Sequence, residues 1–218
     1  MKNPTIAIVD YGVGNLYNLQ RALRVFTPNV VVTEEADVIA AADAIVLPGV
    51  GAFASGMRGL ELRGLLPVIK EAAAKGTPML GICLGAQLFL SEGQEFGVHQ
   101  GLGLIPGTVV PLAVQNPGTK IPHIGWNGLV ASGKSPDALQ NSILHSMKPQ
   151  DQVYFVHSFV MEPRDAAHCL TNTEYGGTSF CSVIRSGNIY GCQFHPEKSG
   201  AVGLGILGNF VEIVAESA

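Results

Sequence analysis

Four short apolar runs alternating with helical spacing constrain this chain more than any other feature. Thr5–Asp10, Val30–Thr33, Ala44–Leu47 and Pro78–Cys83 read as strands. Asn15–Phe26 and Leu60–Lys75 read as helices, the second with apolar residues at Leu62, Leu65, Leu66, Ile69 and Ala73. Gly76 stops that helix before the Pro78 strand, and another helix is expected over Gly85–Ser91. Strands that alternate with helices form crossover units, so the first half predicts an α/β fold on a parallel sheet. The second half changes character. Leu104–Leu112, Gly128–Val130, Gln152–Val160, Phe180–Arg185 and Ile189–Gln193 are short β-type runs punctuated by Gly, Pro and Asn, and helix returns at Val202–Glu216. With 218 residues and no repeat or long linker, one domain over 1–218 is expected to bury a sufficient core.

Charge excludes some functions. Charged residues make up 14% of the chain and the net charge is −4, so no basic stripe is offered to nucleic acid. The apolar run near Met1 is too short for a signal-peptide core, and no stretch approaches the roughly 18 apolar residues of a membrane span. No membrane role is expected, and the expected location is cytoplasmic. The four cysteines, Cys83, Cys169, Cys181 and Cys192, show neither a CxxC pair nor Cys/His metal spacing. They read as free thiols, and no metal or other cofactor is expected.

Cys83 stands apart, in Gly81-Ile82-Cys83-Leu84-Gly85-Ala86-Gln87. A cysteine between glycines where a strand meets a helix follows the logic of a nucleophile elbow, whose small neighbours permit a tight turn that thrusts the nucleophile outward. At a helix N-terminus the thiolate would be favoured, and the Leu84 N–H would be open to an oxyanion. Free cysteine is also commonly buried for packing alone, and these seven residues do not separate the two readings. A nucleophile needs a base, and a base needs an orienting group. His195-Pro196-Glu197 places an imidazole and a carboxylate two residues apart across a stiff proline. The other histidines lack an acid on so rigid a spacing. Pro48-Gly49-Val50-Gly51 is a third candidate, a glycine loop that can bring N–H groups to a ligand or simply turn the chain.

Taken together, Pro48–Gly51, Gly81–Gln87 and His195–Glu197 resemble the class I glutamine amidotransferases. Asp10–Leu16, Ile121–Asn127, Tyr154–Phe159 and Glu197–Ser199 narrow the resemblance to the glutaminase subunits of imidazole glycerol phosphate synthase, in histidine biosynthesis. The resemblance implies the class I amidotransferase fold, a mixed, largely parallel sheet flanked by helices. It implies that Cys83 attacks the side-chain amide of L-glutamine, that His195 passes a proton to the leaving ammonia, and that Glu197 orients His195. Leu84, with Val50 or Gly51, would hold the oxyanion, and Gly49, Gln87, Ser158 and Phe159 would meet the substrate. The implied partner is a (β/α)8 cyclase subunit that receives the ammonia across a surface including Asn15, Trp126, Tyr154 and Lys198. Glutamine hydrolysis would stay nearly silent until that partner is occupied, with rearrangement of the Pro48–Gly51 loop as one control. Two positions depart from the pattern: Ala86, where methionine is frequent, and Phe159, where tyrosine is usual. Competing readings are a glutaminase serving another synthase, a stand-alone cysteine hydrolase of γ-glutamyl or peptide bonds, and a non-enzymatic module with a structural Cys83. A hydrolase would work at full rate without a partner.

Overall fold

In a computed structural model, which describes residues 3–133 and 139–217, the first half builds β1 (Ile6–Val9), α1 (Leu16–Leu23), β2 (Val30–Thr33), α2 (Ala36–Ala40), β3 (Ala44–Leu47), α3 (Phe53–Leu62), α4 (Leu66–Ala74) and β4 (Met79–Ile82). Next come α5 (Leu84–Leu88), β5 (Leu90–Gly93), β6 (His99–Gln100), β7 (Ile105–Pro111), β8 (His123–Gly128) and β9 (Val130–Ala131). The remainder is β10 (Gln152–His157), β11 (Phe159–Pro163), β12 (Cys169–Tyr175), β13 (Thr178–Ser186), β14 (Ile189–Cys192) and α6 (Gly200–Ser217).

Among the described residues twelve strands form one mixed sheet in the order β2-β1-β3-β4-β14-β13-β11-β7-β5-β6, with β12 and β9 off that path. From β2 to β14 every neighbour is parallel. The sheet then turns antiparallel through β13, β11 and β7. β8 and β10 form a separate antiparallel ribbon, with Trp126 opposite Tyr154 and His123 opposite His157.

The apolar runs are unbroken because both faces of the parallel strands are covered. Ile6, Ile8, Val46 and Leu80 pack with Leu19 and Leu23 of α1 and Ile206, Leu207 and Phe210 of α6. Ala7, Val9, Ile45 and Leu47 pack on the opposite face with Phe53, Leu60 and Ile69 of α3 and α4. Contrary to the expectation that no stretch approaches a span, α6 is long and apolar enough to cross a membrane. Its apolar residues are instead committed to the core, where Ile206, Leu207, Phe210 and Val214 are fully buried.

Several element boundaries differ from those expected. The Leu60–Lys75 helix is two helices, because Gly64 takes φ +67° and Pro67, in the first turn of α4, cannot continue α3. The Gly85–Ser91 helix stops at Leu88. The returning chain caps it there, with Leu102 N–H bonding to Leu88 C=O (2.8 Å) and Leu104 N–H to Phe89 C=O (2.9 Å), and Leu90–Gly93 joins the sheet. Gln152–Val160 is interrupted at Ser158, which separates β10 from β11. Gly128–Val130 falls across the end of β8 and the start of β9, and α2, most of α3 (Phe53–Gly59) and β12 lie outside the expected elements.

Candidate active site

β4 ends at Ile82, and Cys83 adopts φ 52°, ψ −109° before α5 begins. A β-carbon residue there costs about 1–3 kcal/mol and persists only where the surroundings impose it. They do so through close approach. Cys83 N–H is held by Cys192 C=O at 2.7 Å, and a Cβ on Gly85 would lie 1.7 Å from the Leu47 carbonyl oxygen. The glycine that follows the cysteine is therefore required for packing of α5 on β3 rather than for the turn itself. With five residues, α5 is also too short to supply the helix-terminus field expected for the thiol.

His195 follows β14 and is pinned on all sides. Its N–H donates to Tyr154 C=O (2.9 Å), and its carbonyl accepts Ser199 Oγ–H (2.7 Å), whose oxygen in turn accepts Tyr154 N–H (2.9 Å). Nδ1 lies 2.8 Å from Glu197 Oε1, with side-chain exposures of 3% and 5%. Burial alone would depress the imidazolium. Interaction with Cys83 and Glu197 outweighs it and raises the His195 pKa to about 9. Nε2 is buried and no hydrogen bond of ordinary geometry closes onto it, so the nitrogen opposite the carboxylate is free for proton transfer.

Cys83 opens into a cavity of about 270 Å³ lined also by Val50, Gly51, Leu84, Gln87, Ser158 and Phe159. That is just below the usual range for drug-sized ligands and suits one amino acid. The structure thus brings together most of the residues expected to meet substrate, with Gly49 directly behind Leu84. One expected feature is absent in this arrangement. Leu84 N–H is not open to an oxyanion, because it donates to Gly49 C=O at 3.3 Å. The Pro48 carbonyl is held by the hydroxyl of fully buried Tyr11, while Val50 is 43% exposed and Gly51 takes φ +113° with nothing near the place of a Cβ.

Sequence reasoning missed other pocket residues: Glu95, Pro122, Val156 and His157. Glu95 Oε2 accepts Phe53 N–H at 2.7 Å, which fixes a carboxylate at the rim. Nothing local in Ser91–Glu95 signals that role; it depends on α3 arriving alongside. Gln87, expected to face substrate, is buried and spends its amino group on Phe159 C=O (3.1 Å) and Gln193 Oε1 (3.1 Å).

Trp126 and Tyr154 meet edge to face on the β8–β10 ribbon at 6.0 Å, and Trp126 is 53% exposed. Exposed Lys198 follows Glu197, and exposed Asn15 caps α1, its Oδ1 accepting Asn18 N–H at 3.4 Å. Ile121 and, on β8, Ile124 are exposed as well.

The model of the glutamine amidotransferase class-I family matches residues 7–213. The chain is 47% identical over 212 residues to imidazole glycerol phosphate synthase subunit HisH 1 of Legionella pneumophila (strain Lens), covering 96% of this chain and 99% of that one. It is 46% identical to the HisH subunit of Synechocystis sp., covering 97% and 98%. Among solved structures, PurLQS from Thermotoga maritima superposes with a TM-score of 0.68 at 19% identity, covering 97% of this chain and 99% of that one.

Proposed function

The chain belongs to the class I glutamine amidotransferases, and from that membership we infer that it is the glutaminase subunit of an imidazole glycerol phosphate synthase, working in histidine biosynthesis. The observation that carries the chemistry is the buried His195–Glu197 pair, 2.8 Å apart, beside a cysteine held in a strained elbow.

Cys83 Sγ, its proton taken by His195 Nε2, attacks the side-chain amide carbon of glutamine. A C–S bond forms, His195 returns the proton to the departing nitrogen, and the C–N bond breaks to release ammonia. Water then gives its proton to His195 and attacks the thioester, the C–S bond breaks, His195 returns that proton to the Cys83 sulfur, and glutamate leaves. Glu197 fixes the His195 tautomer and stabilises the imidazolium. At the other end of the substrate, Glu95 and the carbonyl oxygen that Gln87 has left over are the acceptors for an α-ammonium.

The oxyanion donors are not yet assembled. Leu84 N–H is spent on Gly49 C=O, so the Pro48–Gly51 segment must turn before Leu84 and Val50 or Gly51 can hold negative charge. Such an arrangement suits an enzyme that waits for its partner. The partner of this reading is the (β/α)8 cyclase subunit, docked on the face of Trp126, Tyr154, Lys198 and Asn15, with ammonia passed across that contact. The exposed apolar residues of that face support it.

The test is a glutaminase assay with and without the cyclase subunit and its nucleotide ligand. The chain alone should be a poor glutaminase, strongly stimulated by the loaded partner; full activity in isolation would favour a stand-alone hydrolase. Cys83→Ala should abolish glutamine-dependent synthesis and spare ammonia-dependent synthesis, and residual glutamine hydrolysis would overturn the assignment.

A further inference from the structure

The reaction above leaves two buried histidines and one buried amide without a role. His123 and His157 face each other across the β8–β10 ribbon, and Gln193 follows β14 with no exposed surface. Their hydrogen bonds have only one consistent direction. A carbonyl oxygen only accepts, so His157 Nδ1, 2.9 Å from Phe159 C=O, carries a proton. Burial first, and then the neighbouring His123, hold the His157 pKa down to about 3, so the ring is neutral and its Nε2 is bare. That bare nitrogen is 3.1 Å from His123 Nδ1, which must therefore donate. Burial lowers the His123 pKa to about 4, which makes it a neutral Nδ1–H tautomer as well.

Neither ring is free to turn. His123 is stacked between Phe155 (4.8 Å between centroids) and Tyr175 (3.9 Å), and His157 meets Phe180 edge-on at 5.0 Å. On the far side of the Phe159 carbonyl the chain of bonds continues. Gln87 Nε2 donates to that same oxygen and to Gln193 Oε1, each at 3.1 Å. With its oxygen so committed, Gln193 turns its amino group to Cys83, Nε2 to Sγ 3.8 Å.

We infer that His123, His157 and Gln87 form a hydrogen-bond relay of fixed polarity that turns the Gln193 amide N–H onto the Cys83 sulfur. Gln193 is then a catalytic residue that stabilises the thiolate, and the two histidines are positioning residues. The inference deepens the glutaminase reading and rests on it for its kinetic consequences. The other neighbour of the sulfur explains why the donor matters. Val156 C=O, at 3.8 Å, accepts from the thiol but repels the thiolate, so the attacking form gains from a donor in addition to His195. A flipped Gln193 amide would aim a second oxygen at the sulfur. That flip is forbidden, because it would set the Gln193 amino group against Gln87 Nε2, and Gln87 cannot offer its oxygen instead without facing the Phe159 carbonyl.

Iodoacetamide labelling of Cys83, followed on its peptide by mass spectrometry, reads the sulfur directly and requires no glutamine turnover. Gln193→Leu should slow labelling on the order of tenfold to a hundredfold, and lower kcat in the complex with cyclase by a similar factor. His157→Gln, which moves the amide away from the Nδ1 position, should raise KM for glutamine several-fold. His157→Asn, which keeps a donor near Nδ1, should restore it. On the unmutated chain, ¹⁵N spectra near neutral pH should show both His123 and His157 as Nδ1–H tautomers, a readout that does not depend on any variant folding. An Nε2–H tautomer at His157, an unchanged labelling rate in folded Gln193→Leu, or His157→Asn behaving as His157→Gln would each overturn the relay. An unmutated chain that turned over no glutamine with loaded cyclase would overturn the glutaminase reading instead, with labelling and tautomers still deciding the relay.

Discussion

Two segments converge on the Cys83 sulfur, and they are built to opposite specifications. The His195–Ser199 segment is closed: the His195 and Glu197 side chains are buried, its backbone is tied to β10 at Tyr154, and the imidazole–carboxylate bond is already 2.8 Å long. The Pro48–Gly51 segment is open. Val50 is 43% exposed, and the Leu84 N–H, one of the two expected to serve an oxyanion, is spent on the segment's own Gly49 carbonyl. On the proposed function, the imidazole–carboxylate pair is thus in place before substrate arrives and the oxyanion donors are not. On that reading, an enzyme divided this way would hold its base and orienting acid ready and place control in the segment that has still to rearrange.

The largest effect is expected on the closed side. Glu197→Gln preserves the shape of the pair but no longer selects the tautomer or stabilises the imidazolium, and kcat should fall roughly 10³- to 10⁴-fold. Because that defect lies in a preassembled element, the factor should be the same with and without loaded cyclase. Parallel glutaminase assays in the two conditions check it, and a loss confined to the complex would mean that the His195 segment, too, is completed by the partner.

A smaller effect is expected on the open side. Tyr11 is almost wholly buried, and its hydroxyl holds the Pro48 carbonyl. Tyr11→Phe removes that tether at about 1 kcal/mol, so activity of the chain alone should rise about fivefold while activity in the loaded complex changes little. A basal rate that stayed constant or fell would show that the segment is restrained elsewhere.

The difference between the two segments also explains what could be read from the sequence. Cys83 between close glycines and His195-Pro196-Glu197 are each local patterns, so the residues that must meet are neighbours in the chain. The parallel half of the sheet is legible for a similar reason, since β1, β2, β3 and β4 are unbroken apolar runs. The state of Leu84 N–H is not legible, because its acceptor belongs to a segment that reaches it only through the packing of α5 on β3. Glu95 and the amide of Gln193 are hidden for the same reason, the latter lying 110 residues from the sulfur it faces. Nor does apolar spacing across Leu60–Lys75 register the break at Gly64, because Leu60, Leu65 and Ile69 remain buried in the same layer on both sides of it.

The smallest expected effect concerns protonation, where the closed segment and the ribbon behind it should pull in opposite directions. His195 has a folded pKa raised to about 9, against an ordinary value of 6.5. Its contribution to stability is complete below about pH 6.5 and is lost as pH rises toward 9. His123 and His157 have folded pKa values lowered to about 4 and about 3, so theirs is complete above about pH 6.5 and is lost as pH falls through those values. Thermal melts should therefore decline on both limbs, by a few degrees each for a domain of this size. The alkaline decline should flatten in His195→Gln and the acid decline in His157→Asn, while Tyr11→Phe should leave both slopes in place. If His195→Gln instead kept the alkaline slope, the charge on the closed segment would not be what its burial and partners hold in place, and the contrast between a preassembled base and an unassembled oxyanion site would lose its electrostatic half.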